Sequence, residues 1–164
     1  MSRARGFSLF ELAVALALIA ILAALLLERM TYYQEQAEKV NMEQVAMDIR
    51  SSVNLRVAEL VLENRFAELD ALAQQNPLDL LHRKPQNYLG VLSDPAPEAV
   101  APGNWYFDKQ TKEVVYCADL GRFFAPDTQG RKCASWHVAL VRGTKEQGPP
   151  QWARLQLVRP YQWF

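Results

Sequence analysis

The sequence has 164 residues, of which half are apolar, and its 18 Lys and Arg residues balance 18 Asp and Glu residues. This length suits one small domain, and the balanced charge excludes the basic surface that is typical of nucleic-acid-binding proteins. The chain holds only two cysteines and two histidines, and none of them has the spacing of a metal-binding motif.

The N-terminal stretch begins with a short basic segment and continues as a run of 21 residues, 7–27, in which Glu11 is the only charge. As a helix this run is about 31 Å long, which matches the hydrocarbon core of a bilayer. Because Arg3 and Arg5 precede the run, the positive-inside rule predicts a cytoplasmic N terminus and export of everything that follows. A carboxylate inside such a span is costly, so Glu11 needs a partner or a function.

Residues 5–12, Arg-Gly-Phe-Ser-Leu-Phe-Glu-Leu, resemble the processing and methylation site of type IV pilins and type II secretion pseudopilins. In that family a prepilin peptidase cuts after the glycine and methylates the new N-terminal residue, and the glutamate is used in fibre assembly. The resemblance implies cleavage between Gly6 and Phe7, N-methylation of Phe7, and an assembly role for Phe7 and Glu11. It also implies four kinds of partner: other pilin or pseudopilin subunits, the prepilin peptidase, the inner-membrane assembly platform and the lipid bilayer.

The chemistry of these residues is compatible with the same roles. Gly6 has no side chain to obstruct a protease, and Phe7 and Glu11 stand four residues apart, on one face of a helix. Cleavage would expose an amine that the Glu11 carboxylate of a neighbouring subunit could pair with in apolar surroundings. Such a pair would fix the axial register, because a shift would leave two buried charges without partners.

Two alternatives remain for this stretch. A secretory signal peptide could be cut after the small-x-small sequence at residues 15–17, so that the mature chain would begin near Leu18. A simple signal anchor would explain the span and its orientation, but not the combination of Gly6 and Glu11.

Residues 28–83 are predicted to form an amphipathic helical region. No Pro or Gly occurs from residue 28 to residue 75, and good helix formers dominate. Residues 61–75 either continue the first helix or form a second one after a bend near Asn64, and Asn76 followed by Pro77 predicts the start of a short helix over residues 78–82. Apolar residues recur at three- and four-residue steps and form one stripe: Met42, Val45, Ile49, Val53, Val57 and Leu60.

Residues 84–103 are rich in Pro and Gly and are predicted to be a linker loop. Residues 104–164 are predicted to form an antiparallel β domain, with a hairpin over 105–107 and 114–116 and two further strands over 136–141 and 152–158. A long helix laid on a small sheet of about four strands is an α+β fold. The ladle-shaped pilin fold, which the resemblance implies, has this architecture.

Cys117 and Cys133 follow the span and therefore lie in an oxidising compartment on this topology. We expect them to form a disulfide, which would stabilise the domain by about 3 kcal/mol in the chain-entropy model; two free buried thiols are the alternative. Pilins often carry such a bonded loop, although more than thirty residues follow Cys133 here. His82 and His137 are isolated along the chain, and no phosphate-binding loop or nucleophile elbow is present.

These features together predict a structural subunit that is not an enzyme and that needs no cofactor or metal. The predicted topology is a single pass through the bacterial inner membrane, with residues 1–6 as a leader peptide, residues 7–27 as a transmembrane and assembly helix, and a periplasmic C-terminal domain. The resemblance implies a later location in a cell-surface fibre or a periplasmic pseudopilus. The alternative is a signal-anchored bitopic protein that displays a periplasmic binding domain and does not polymerise.

Overall fold

A computed structural model describes residues 8–93, 95, 96, 99–127, 130–142 and 150–164 of the chain. Helix α1 spans Leu9–Leu62, and helix α2 spans Glu68–Gln74. Two compact units, Met1–Ala37 and Glu38–Phe164, make up the chain. The second unit contains a sheet of five strands: β1 (Tyr88–Leu92), β2 (Asn104–Asp108), β3 (Glu113–Cys117), β4 (Cys133–Arg142) and β5 (Pro150–Leu157).

The predicted apolar stripe of α1 is confirmed in the second unit. Its residues face the core, because each lies three or four positions after the last and therefore on the same side of the helix. Val45 is partly buried and packs against the same core. The other five members are at most 1% exposed: Met42, Ile49, Val53, Val57 and Leu60.

Helix α1 ends where Asn64 adopts a left-handed conformation, with a φ of 57°. The N–H of Arg65 donates to the carbonyl of Leu60 at 2.8 Å, and the N–H of Asn64 donates to the carbonyl of Val61 at 3.1 Å. These are the two bonds of a Schellman motif, in which Asn tolerates the left-handed position better than most residues. The chain therefore bends here, and α2 is a separate helix.

The predicted cap at Asn76 is confirmed, but the helix that follows is shorter and tighter than expected. The Asn76 side chain accepts a hydrogen bond from the N–H of Leu78 at 3.1 Å. The segment is a 3₁₀ helix over Pro77–Leu80, rather than a helix over residues 78–82. Leu78 is fully buried and anchors this turn in the core.

The strands follow the order β1-β2-β3-β4-β5 in one open sheet. Strands β2 to β5 pair antiparallel, as predicted, whereas β1 pairs parallel with β2. The sheet thus has five strands rather than about four. The additional strand lies within residues 84–103, which were predicted to be a loop; of that stretch, residues 94, 97 and 98 lie outside the described residues.

The main core lies between the second-unit part of α1 and one face of the sheet. Trp105 of β2 is fully buried, and its ring centroid lies 4.9 Å from that of Tyr116 and 5.5 Å from that of Trp136. Phe107 and Val138 extend the same cluster along the sheet. This arrangement confirms the α+β fold class, with a long N-terminal helix on a mostly antiparallel sheet, and it is consistent with a pilin-like fold.

The last residues of the chain pack back onto the second unit. Trp163 is 3% exposed and forms a β-bridge with Phe124. The Phe124 ring also stacks on Tyr161, with centroids 5.7 Å apart, and the Lys39 ammonium donates to the carbonyl of Trp163 at 3.0 Å. The C-terminal segment therefore connects α1 to the loop that follows β3.

Candidate processing and assembly site

The predicted cleavage site itself, Gly6 and Phe7, lies outside the described residues. The described chain begins at Ser8, immediately before α1. The Ser8 hydroxyl accepts a hydrogen bond from the N–H of Glu11 at 3.2 Å, and the Ser8 carbonyl accepts one from the N–H of Leu12 at 3.1 Å. Ser8 is therefore the N-cap of the helix, where it satisfies a backbone donor that has no intrahelical partner.

The spacing of Ser8 and Glu11 is that of a capping box, Ser-x-x-Glu. Glu11 lies in the first turn of α1, where the helix dipole favours a carboxylate. The sequence analysis did not identify Ser8 as the N-cap, although the Ser-x-x-Glu pattern is visible in the sequence. Glu11 thus has a local reason to be at this position in addition to its predicted role between subunits.

The apolar segment that follows has no cover in its own unit. Burying a side chain of this type gains about 1.5–3 kcal/mol relative to leaving it in water, so the segment needs lipid or other helices around it. All large apolar side chains of residues 9–27 are exposed: Leu9, Phe10, Leu12, Val14, Leu16, Leu18, Ile19, Ile21, Leu22, Leu25, Leu26 and Leu27.

By length and composition, α1 contains a segment that can cross a membrane. A signal sequence near an N terminus can meet the same criteria of length and composition, so this property alone does not separate an anchor from a cleaved signal. Evidence for an anchor or for a cleaved signal has to come from the residues that precede and begin the helix.

The two cysteines, Cys117 and Cys133, form the disulfide that the sequence analysis expected. Cys117 ends β3, Cys133 begins β4, and the two residues lie directly opposite each other in the register of these strands. The bond closes the loop of residues 118–132. The start of this loop is also held from the other side, by α1.

Glu38 of α1 binds the start of that loop with both carboxylate oxygens. Oε1 accepts hydrogen bonds from the Tyr116 hydroxyl at 2.8 Å and from the N–H of Asp119 at 2.6 Å, and Oε2 accepts one from the N–H of Leu120 at 2.7 Å. Charge-assisted bonds of this kind are stronger than neutral ones. We call this arrangement the Glu38 clasp. Sequence analysis missed it, because Glu38 and its partners are about eighty residues apart.

Two tyrosines that bond to glutamates of α1 have raised pKa values. For Tyr116, burial is the main cause, and the hydrogen bond and negative charge of Glu38 raise the pKa further. For Tyr161, burial and the nearby Glu43 carboxylate, 3.3 Å from the hydroxyl, raise the pKa to about 12. In both cases the folded protein favours the protonated phenol.

We expect the free energy of unfolding to fall as the pH rises above about 10, because Tyr116 and Tyr161 lose their protons there in the unfolded chain but keep them in the folded protein. The Tyr116→Phe variant should lose less stability than wild type between pH 9 and pH 11, as measured by urea denaturation. Tyr33, which is 66% exposed, provides the control: Tyr33→Phe should follow wild type. Equal losses in wild type and Tyr116→Phe would contradict this explanation.

In the described ranges, no cluster of three or more His, Cys, Asp or Glu residues could hold a metal ion. What the site offers is a capped helix start with one carboxylate, followed by an exposed apolar surface. Such a surface is suited to packing in a membrane or among helices.

Comparison with known proteins adds one finding. The model of a family described as the prokaryotic N-terminal methylation motif matches residues 1–27, which include Gly6, Phe7 and Glu11. No curated protein and no solved structure matches the chain. Residues 1–27 therefore carry the prokaryotic N-terminal methylation motif, which is the signature of type IV pilins and pseudopilins.

Proposed function

We propose that the protein is a prepilin-like structural subunit that is cleaved between Gly6 and Phe7 and N-methylated on Phe7. It then assembles through its N-terminal helix, as a minor subunit, into a type IV pilus or a type II secretion pseudopilus. One observation carries the proposal: the methylation motif on residues 1–27 coincides with a helical segment whose large apolar side chains, from Leu9 to Leu27, are all exposed.

The proposed location follows from charge. Arg3 and Arg5 keep the N terminus in the cytoplasm, and the apolar helix crosses the inner membrane once. The second unit is then periplasmic, which is consistent with its disulfide. Before assembly the bilayer covers the apolar segment, and after assembly neighbouring helices cover it.

Assembly is an exchange of lipid contacts for helix contacts. The energetic gain from apolar burial alone is small, because lipid is as apolar as the neighbouring helices. Specificity must come from polar groups, and Glu11 is the only charged residue in the segment. Its carboxylate pairs with the methylated amine of Phe7 on the next subunit, which sets the axial position of each helix.

The partners are therefore the prepilin peptidase, other pilin or pseudopilin subunits, the inner-membrane assembly platform and the bilayer. Support for a minor role comes from the helix itself. Many major pilins carry a proline that kinks the helix just after the apolar run, whereas the first proline here is Pro77.

The test is intact and N-terminal mass spectrometry on protein from the membrane fraction of cells that contain the peptidase, with and without reductant. We expect a chain that begins at methylated Phe7 and is two hydrogen atoms lighter before reduction. Retention of residues 1–6 would instead indicate a signal-anchored bitopic protein that displays its periplasmic domain. A start near Leu18 would indicate ordinary signal peptidase cleavage.

We expect Gly6→Ala to block processing, because the peptidase requires a backbone without a side chain at the cleaved bond. The mass of the variant should then still include the leader, residues 1–6. Ala4→Gly is the matched control, since it also exchanges Ala and Gly inside the leader and should leave cleavage unchanged. If Gly6→Ala is cleaved, its mature chain has the same mass as the mature wild-type chain. That result would refute the assignment.

A further inference from the structure

The part of α1 that belongs to the second unit carries a second apolar stripe, on the side that points away from the core. Its members are Val40, Met47, Leu55 and Leu62, which are between 50% and 83% exposed. Their steps of seven and eight residues keep them within about 80° around the helix, because each residue turns the helix by about 100°. The buried stripe of the same helix lies roughly on the opposite side. We call the four exposed residues the outer stripe.

The outer stripe has the composition of a contact surface. The solvent side of a helix is normally polar, and grouped apolar side chains on a surface mark an interaction site. No described residue covers the stripe, since each of its side chains keeps at least half of its exposure. Ser51 and Ala58 lie between the large side chains, and an alternation of large and small residues lets the side chains of two elements interdigitate.

The spacing of the outer stripe indicates that its partner is another helix. A repeat of seven residues is the spacing at which two helices stay in contact over many turns. In the sequence, an apolar residue occupies every seventh position from Leu12 to Met47. Tyr33, Val40 and Met47 keep this repeat beyond the apolar run of residues 7–27. The outer stripe therefore continues the pattern of the segment that we propose to assemble between subunits.

A second copy of this chain meets the requirements for such a partner. It carries the same repeat on the same helix. On the proposed topology both copies enter the periplasm in the same direction, so that their helices run parallel. The inference rests on that part of the proposed function.

The charges beside the outer stripe favour one alignment of the two copies. In a parallel pair of helices, a residue on one flank lies opposite the residue about five positions later on the flank of the partner. With the copies level, Glu43 would lie opposite Asp48 of the second copy, and like charges repel. With one copy displaced by one seven-residue repeat, Arg50 would lie opposite Asp48 instead. Arg50 is exposed and forms no ion pair with any described residue.

We propose that the outer stripe is a contact between two copies of this chain, which lie parallel and are displaced by one seven-residue repeat. Met47 of one copy packs against Val40 of the other. Arg50 of the first copy pairs with Asp48 of the second. The contact extends the packing of the helices beyond the membrane and into the second unit.

The test is disulfide cross-linking of full-length chains in the membrane. Two copies with different affinity tags are expressed together, one as Val40→Cys and the other as Met47→Cys, and the membranes are treated with a mild oxidant. The native cysteines are already bonded to each other, so each chain offers one new thiol. We expect a product that contains both tags, at a yield at least about five times that of two Met47→Cys copies. The reason is that the displacement holds identical positions about 10 Å apart along the axis, whereas a disulfide needs Cα atoms within about 7 Å.

Ser52→Cys with Glu59→Cys is the matched control. Seven residues also separate these positions, but they lie about 90° around the helix from the centre of the outer stripe. We expect this pair to give less than about one fifth of the yield of the Val40→Cys and Met47→Cys pair, relative to the amount of each chain in the membrane. Equal yields for the two pairs, or no product from either, would overturn the proposal. A product from two Met47→Cys copies that equals the mixed product would refute the displacement.

Charge reversal tests the alignment. With Arg50→Asp added to both copies, we expect the yield of the mixed product to fall at least about threefold, and further addition of Asp48→Arg should restore it. An unchanged yield in Arg50→Asp would refute the pairing with Asp48. The mass of the same chains reports cleavage at Gly6. Normal cleavage without cross-linking would therefore refute the contact alone, whereas uncleaved chains would refute the proposed function.

Discussion

A Glu11→Ala subunit is expected to be cleaved and inserted normally but to enter fibres at least about ten times less often than wild type. The reason is that the amine of a neighbouring subunit would remain without a counter-charge in an apolar bundle, where an uncompensated charge costs several kcal/mol. The measurement is the ratio of variant to wild-type protein in purified fibres, relative to the same ratio in the membrane fraction. Equal ratios would rule out the pairing role of Glu11.

Two further variants separate the charge of Glu11 from its place in the capping box. Glu11→Gln keeps a side chain that suits a capping box but loses the charge, so we expect it to fail in assembly as Glu11→Ala does. Ser8→Ala removes the hydroxyl that accepts the N–H of Glu11 and keeps the charge, so it should assemble nearly as well as wild type. The reverse pattern would mean that Glu11 acts by starting the helix and not by pairing.

A Glu38→Ala variant is expected to lower the free energy of unfolding by about 3 kcal/mol. The change removes all three hydrogen bonds of the Glu38 clasp and leaves the largely buried Tyr116 hydroxyl without its acceptor. Urea denaturation of the full-length protein in micelles, followed by tryptophan fluorescence, measures the loss. Trp105 and Trp136 lie in the core and should report unfolding of the sheet.

The matched control for this prediction is Glu59→Ala, on the same helix. Glu59 is exposed and forms only a surface ion pair with Arg56 at 3.0 Å, which is worth less than about 1 kcal/mol. Glu38→Gln should fall between the two, since an amide oxygen can accept some of the three bonds but carries no charge. Similar losses for Glu38→Ala and Glu59→Ala would show that the clasp contributes little.

Regular, local patterns were the part of the fold that the sequence predicted well. The apolar stripe of α1 and the hairpin of β2 and β3 both rest on residues that are close along the chain. The sequence left two possibilities for residues 61–75, a continued first helix or a second helix after a bend near Asn64. The hydrogen bonds from Asn64 and Arg65 to the preceding turn decide for the bend.

Long-range contacts account for what was missed. Strand β1 contains Gly90 with a φ of 103° and is flanked by prolines, so its composition indicates a loop, and only parallel pairing with β2 makes it a strand. Glu38 looks like any exposed helix residue until residues 116–120 are brought next to it.

The position of the disulfide next to the Glu38 clasp has a mechanical consequence. In a fibre under tension, force would reach the sheet through α1, and the clasp holds residues 119 and 120, which are two and three positions after the disulfide-bonded Cys117 at the end of β3. Cys117 is covalently joined to Cys133, so the load would divide between β3 and β4 instead of stretching the loop of residues 118–132. The tensile strength of the connection between helix and sheet would then depend on the oxidation state of one bond.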